Sequence, residues 1–318
     1  MYFPYLRGKQ FDLLAIREFS SENKGNSKII PIIEPVKSSF SSIKLAVDVM
    51  LSDDQKFALV LNPSLGDFKK SPSGYDLYNE LPKLKDNYGK WIPAIIFSST
   101  EKVSDIILRY NLKGVMIIFP EGLDVSQDHT LNLLKRDSIE YIVIGDVRER
   151  NSREIFEELN SKKIIRLDNQ FNNKTRNVDY LEKEDEFFSS EFYYYEKDGY
   201  YGFSDYLTLP KDFIDGGMLP YAIAIHLTYK FNDRKIHIHH FVSDTNFDQS
   251  NIQGKFREAA QKVEPFFTDK DKTQSINYLI QLVKDEKYPG LGYIKKLSIK
   301  NHIELINEIL TSHYENLR

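Results

Sequence analysis

The feature that most limits the fold of this chain is an alternation that runs through its first half. Short β-branched or aliphatic runs, each ending at a proline or a polar residue, are followed by amphipathic stretches. The runs cover 29–33, 57–61, 92–97, 115–119, 141–144 and 163–167. Helical periodicity falls between them at 39–51, 74–87, 101–111, 127–136 and 152–160. Strands that alternate with helices make right-handed βαβ units and a parallel sheet. A repeat of roughly 22–35 residues is the spacing of a (β/α)8 barrel. The expected fold is therefore α/β, (β/α)8 TIM-barrel-like, with an N-terminal helix over the stretch that contains Leu13, Leu14 and Ile16. An open doubly wound sheet is the alternative, because periodicity does not reveal closure. Local signals agree with the helices. "SSTE" at 98–101 has capping-box form, Ser98 with Glu101, and Asn151 or Ser152 is placed to cap a later helix.

Beyond residue 168 the pattern loosens. "EFYYYEKDGYYGFSDYLTLP" (191–210) places a "KDG" turn between two aromatic runs, which reads as a hairpin whose second arm, 201–209, is the seventh strand. "YAIAIHLTYK" (221–230) reads as the eighth. It turns through "FNDR" into "KIHIHHFVSD" (235–244), an antiparallel extension that makes an added β-hairpin near the last strand. Helices are expected near 252–264, 273–285 and 301–315, and the polar stretch 170–190 reads as a loop. This gives a barrel-like domain over 1–265 and a C-terminal helical extension over 266–318 packed on the same domain.

Composition narrows the function classes. Lys and Arg total 43 against 47 Asp and Glu, for a net charge of −4, so no general nucleic-acid binding is expected. Cysteine is absent, which removes disulfides, thiolate chemistry and Cys-ligated zinc. No segment has the length and apolarity of a signal peptide or a membrane span, and the expected location is the cytoplasm, with no membrane partner. The 20 Tyr and 21 Phe are a high aromatic load, suited to strands, core and contact surfaces.

In parallel α/β folds, sites form at the C-terminal ends of strands. Those positions here are Glu34 with Lys37, Asn62, Ser98, Glu121, Asp146 with Arg148, Asp168 and Asp205. Glu34 stands out because it ends the apolar run of "KIIPIIEPVK". Any one of these residues could be polar merely because it emerges into water. As a set on one rim, the acids would require protons, basic partners or a divalent cation. Arg7 and Lys9, just before the N-terminal helix, are available as partners and suit an anion. His226, on a strand, is a candidate general acid or base. On the extension His237 and His239 share one face and His240 takes the other, and they lack the carboxylate spacing of a metal motif, so they read as solvated. No phosphate-binding, dinucleotide or nucleophile-elbow motif is present.

"YFPYLRGKQFDLLAI" followed by "IIPIIEPV", and much later "GFSDY", resembles the phage Beta-protein family and its bacterial relatives on mobile elements. The resemblance rests mainly on residues 2–37, with support from 201–209. It implies a barrel-like fold and a part in phage–host conflict, with no established reaction. It carries over Arg7, Lys9, Glu34 and Asp205 as family-pattern positions without assigned roles. The expected function is then a component of bacterial anti-phage defence, with a polar barrel-rim pocket for an anionic, phosphate-bearing or nucleotide-like ligand. If the pocket is catalytic, a hydrolase or phosphodiesterase-like reaction would use Glu34, Asp146, Asp205 and His226. Arg7, Lys9, Lys37, Asn62, Arg148 and Asp168 would hold the ligand. The alternative is a non-catalytic docking or sensor protein that binds a phage protein or a partner encoded nearby, through the aromatic segment 191–206.

Overall fold

The aliphatic runs become strands in a computed structural model that describes residues 1–69, 76–145, 149–216, 219–267 and 272–315. In chain order the strands are β1 (Tyr5–Leu6), β2 (Ile32–Ile33), β3 (Phe57–Val60), β4 (Trp91–Ile96), β5 (Val115–Phe119), β6 (Ile139–Gly145), β7 (Lys163–Asp168), β8 (Asp185–Ser189), β9 (Gly202–Asp205), β10 (Ala224–Asn232) and β11 (Lys235–Val242). The chain divides into two units. The first holds Met1–Lys9, Ser20–Asn169 and Tyr194–Asp205; the second holds Gln10–Phe19, Gln170–Tyr193 and Tyr206–Arg318.

In the first unit eight strands run parallel in the order β1-β2-β3-β4-β5-β6-β7-β9. All five residues of β5 are buried, as expected for a strand covered on both faces. The two edges meet. Tyr2 bridges both Ile29 and Phe203; Phe3 N donates to Phe203 O (2.8 Å), and Phe203 N donates to Met1 O (3.1 Å). The sheet is thus a nearly closed TIM-barrel-like cylinder rather than an open doubly wound one.

The eighth strand is not 221–230, which leaves this sheet altogether. It is the N-terminal segment, where "YFPYL" is too short and too aromatic to register as an apolar run. Pro4 cannot donate to a ladder, yet its carbonyl accepts from Ile32 N (2.9 Å), so it still fits the sheet. The first arm of the expected hairpin is also different, since 191–194 form a helical turn, Glu191–Tyr194. Two caps shift: Ser99, not Ser98, accepts from Lys102 N (3.3 Å), and Asn151 and Ser152 lie inside the helix Glu149–Glu158.

Strand alternation sorts side chains between lumen and outer face. Phe3, Tyr5 and Arg7 share a face with Ile30, Ile32 and Glu34, by the register Tyr5↔Ile32. That face is the lumen, because Phe3 packs 6.4 Å from Tyr141 on β6, which is not a sheet neighbour of β1. Gly202 makes room for this. A Cβ there would lie 2.6 Å from the Phe3 ring and 2.9 Å from Met1 O.

The second unit has its own antiparallel sheet, β10-β11-β8. The hairpin β10–β11 is the expected extension. β8 and the helical turn Asn177–Glu182 replace the expected loop at 170–190, because Phe188 and Tyr180 are buried there. Ile223, Ile225, Leu227 and Phe241 of the sheet form one core with Phe256, Leu279, Ile280, Ile294 and Leu297 of the C-terminal helices. Thr228 binds His302 (2.9 Å), and its carbonyl accepts from Asn301 (3.0 Å), tying the helix Leu291–Glu315 to β10. Residues 10–19 of the N-terminal helix, Gln10–Glu22, join this unit: Lys296 reaches Glu18 (2.6 Å), and Phe11 fills the space that a side chain at Gly292 would take. Among the described residues no helix is long and apolar enough to cross a membrane.

Gly202→Val forces Phe3 out of its slot. The expected cost is about 1–3 kcal/mol, the range for overpacked cores, read as a lower urea midpoint with unchanged m-value.

Candidate functional site

The C-terminal end of the lumen is shaped by two glycine turns that grip the chain after β2. Gly8 (φ +61°) lies so close to Glu34 that a Cβ would sit 2.9 Å from the Glu34 carbonyl oxygen. Gly66 (φ +59°) approaches Val36 O even more closely, at 2.1 Å from where its Cβ would be. Both need a left-handed backbone and no side chain, which only glycine supplies cheaply. Glu34 N donates to Leu6 O (2.9 Å), which fixes Glu34 opposite the end of β1.

Glu34 is therefore not a solvated strand end, with 1% of its surface exposed. Its Oε2 accepts from Tyr5 Oη (2.8 Å) and from Arg7 Nη1. The Arg7 guanidinium also lies 5.0 Å over the Tyr5 ring. Glu34 Oε1 is buried and, among the described residues, accepts from no donor. A buried carboxylate oxygen without a donor is costly, and such exceptions mark places where another group belongs.

Other strand-end residues have partners of their own. Asp168 and Asp205 are register partners, but alternation turns both to the face opposite the lumen. There Arg166 pairs with Asp168 (3.0 Å), and Tyr2 Oη donates to Asp205 (2.8 Å). Burial and the Asp205 charge push the Tyr2 hydroxyl well above its usual pKa, so it stays a donor. Asn62 faces the lumen end, but its amide donates to Ile96 O (2.8 Å) and accepts from Ile96 N (2.9 Å), splicing two strand ends. Lys37 is drawn to Asp67 (3.5 Å), and Lys9 leads directly into the helix Gln10–Glu22. Asp146 and Arg148 lie outside the described residues.

His226 belongs to the second unit, in a different constellation. Its Nδ1 meets His240 Nδ1 at 2.8 Å, and His240 Nε2 meets Glu186 Oε1 at 3.2 Å, a chain of carboxylate, imidazole and imidazole. The Tyr180 ring packs 4.7 Å from His226 and 4.4 Å from His240. Burial, then the His240 charge, lowers the His226 pKa well below its ordinary value; burial lowers His240 against the opposing pull of Glu186. For Glu186, burial raises the pKa but is outweighed by hydrogen bonds from Asn172 and His240. His237 and His239 are not a solvated face, since both converge on Asp185 (2.8 and 3.3 Å). Among the described residues, no three His, Asp or Glu side chains are grouped to hold a metal ion.

Sequence reasoning missed Tyr5 and Glu186, and it read His240 as part of a solvated face. Tyr5 was accessible in principle: it lies two residues before Arg7, on the same strand face. Glu186 was hidden in a polar stretch whose strand character depends on pairing with β11. No family model matches the chain, and no curated protein or solved structure matches it significantly.

Two predictions follow from these networks. Glu34→Ala takes the carboxylate from the partly buried Arg7 guanidinium and is expected to cost about 3 kcal/mol, the low end for a broken buried pair. Replacing both by Met should recover most of that loss, as a double-mutant cycle in urea would show. In the second unit, His226 and His240 stay neutral in the fold below their ordinary 6.5, where the unfolded chain takes up protons. Their contribution is complete above 6.5 and is lost as pH falls, at up to ~1.4 kcal/mol per pH unit per histidine. The unfolding midpoint should drop with acidification, and His226→Gln should flatten that dependence.

Proposed function

We propose that this protein acts in the cytoplasm in anti-phage defence or phage–host conflict, and that its barrel holds a small anionic, phosphate-bearing or nucleotide-like ligand at the lumen end framed by Arg7 and Glu34. The observation that carries this reading is Glu34 Oε1, a buried acceptor that meets no donor among the described residues, at the C-terminal end of a barrel strand and beside an arginine. That end is where barrel enzymes keep their chemistry. Arg7 suits an anionic group, and Glu34 Oε1 suits an N–H, an O–H or a cation carried with it. In a hydrolase or phosphodiesterase-like reaction Glu34 would be the general base. The resemblance of residues 2–37 to the phage Beta-protein family supports the biological setting.

The test is phage plating on a host that carries the gene with its flanking genes. Glu34→Gln should abolish protection, whereas Asp205→Asn, altered on the face opposite the lumen, should retain it. Should Glu34→Gln fail to accumulate, Tyr5→Phe, which removes one donor to the same carboxylate, should lower protection in its place. Full protection by a folded Glu34→Gln protein overturns the reading.

One observation favours a docking role instead. In the second unit Leu219, Tyr221 and Phe247 are exposed, the last by 85%. Exposed large apolar side chains suit a protein contact. The segment 191–206 is less suited, because Gly202–Asp205 is a buried strand. Under this second reading Tyr221→Ser with Phe247→Ser loses protection, and Glu34→Gln keeps it.

A further inference from the structure

The opposite end of the lumen is also built from polar side chains. A cavity of about 410 Å³ opens where the strands begin, within the size range of small-ligand sites. Lys56 stands one residue before β3, Lys90 one before β4 and Tyr201 one before β9; Lys163 opens β7, and Tyr141 is near the start of β6. The N-terminal face of such barrels usually serves stability and is closed by packing. Here it carries three lysines around two tyrosines.

Each group has a defined state. Lys163 lies between the two rings, 4.9 Å from Tyr141 and 5.0 Å from Tyr201, and reaches Glu140 at 2.6 Å. Burial works against its charge, but the Glu140 hydrogen bond together with the Tyr141, Tyr201 and Glu140 charges outweighs it and raises the pKa, so Lys163 is a fixed cation. Burial and Glu140 push the Tyr141 hydroxyl up to about 12, which keeps it a donor. Lys56 sits 5.9 Å from the Tyr141 ring. Among the described residues, neither Lys56 nor Lys90 has a carboxylate within ion-pair distance. The opposing charges are Asp54 on the cavity wall and Glu140 beside it.

Gln55 adds a second, independent observation. Its Nε2 donates to Ile29 O (2.6 Å) and Lys56 O (3.0 Å), which fixes the orientation of the amide. Its Oε1 is then a buried acceptor that meets no donor among the described residues, on a residue that lines the cavity. The cavity thus offers cations for an anion, tyrosine rings for a flat group and one buried acceptor for an N–H.

We infer that the N-terminal mouth of the barrel is a second binding site, for a nucleoside monophosphate: phosphate on Lys56 and Lys90, base against Tyr201 and Tyr141, and a base N–H on Gln55 Oε1. This site is independent of the Arg7–Glu34 end and stands or falls without it.

Isothermal titration calorimetry of the full chain tests it, with adenosine and guanosine 5′-monophosphate, ribose 5-phosphate and inorganic phosphate as probes. At least one nucleotide should bind, more tightly than the two base-free phosphates. Lys56→Gln with Lys90→Gln, the first half-buried and the second exposed, should weaken it at least ~10-fold, or ~1.4 kcal/mol. Tyr5→Phe, at the other end of the lumen, should leave the lysine-dependent component of nucleotide binding unchanged. Absence of saturable binding by either nucleotide overturns the proposal, as does binding that ignores the double lysine variant. Equal affinity for ribose 5-phosphate or inorganic phosphate overturns the role of the rings and Gln55. Loss of binding in a folded Tyr5→Phe protein places the nucleotide at the wrong end and also overturns it.

Discussion

Much of the barrel depends on the hydrogen bonds that hold residues 1–3 against Phe203. They turn a sheet with two raw edges into a nearly closed cylinder, and closure abolishes the edge-strand problem. They also set register. With Tyr2 held against both Ile29 and Phe203, alternation sends Phe3, Tyr5 and Arg7 inward. A slip of one residue would present Leu6 to the lumen and turn Arg7 away from Glu34.

The same alternation gives the lumen two polar ends and an apolar middle. Ile32, Ala58, Ala94, Met116, Val143 and Ile165 share the inward face and are buried. Above them is the Arg7–Glu34–Tyr5 cluster; below them are Lys56, Lys163 and Tyr141. A charge at either end borders a low-dielectric layer, where interactions with a bound group are stronger than in water. The cylinder therefore separates two electrostatic environments, and chemistry at one end need not disturb the other.

The α/β alternation was legible because buried parallel strands write themselves as continuous aliphatic runs. The strand made by residues 2–6 was not, since its apolar signal is aromatic and broken by Pro4. Residues 221–230 misled for the opposite reason: an apolar run of the right length says nothing about which sheet it joins. Glu34 was legible as an anomaly, a carboxylate ending a buried run. The separation of Glu34 from Asp168 and Asp205 was not, because strand-end position places a residue on a rim, while the face it takes depends on register. The histidines of β11 were seen as an alternation, but their partners Asp185 and Glu186 come from a strand about fifty residues earlier, in a stretch that looks like a loop. The lysines and tyrosines of the lower mouth stand at strand beginnings, where the rule about sites does not look.

The two units are interleaved in sequence: the chain passes from one to the other after Lys9, Phe19, Asn169, Tyr193 and Asp205. No single cut yields either unit whole. A fragment ending near residue 169 lacks β9 and with it the barrel seam, and a fragment starting near residue 206 lacks both β8 and the helix that packs on Gly292. Domains are ordinarily separable at exposed linkers; here they are not. Function in this protein is therefore mapped by point substitution, and a truncation that abolishes activity reports on folding before it reports on chemistry.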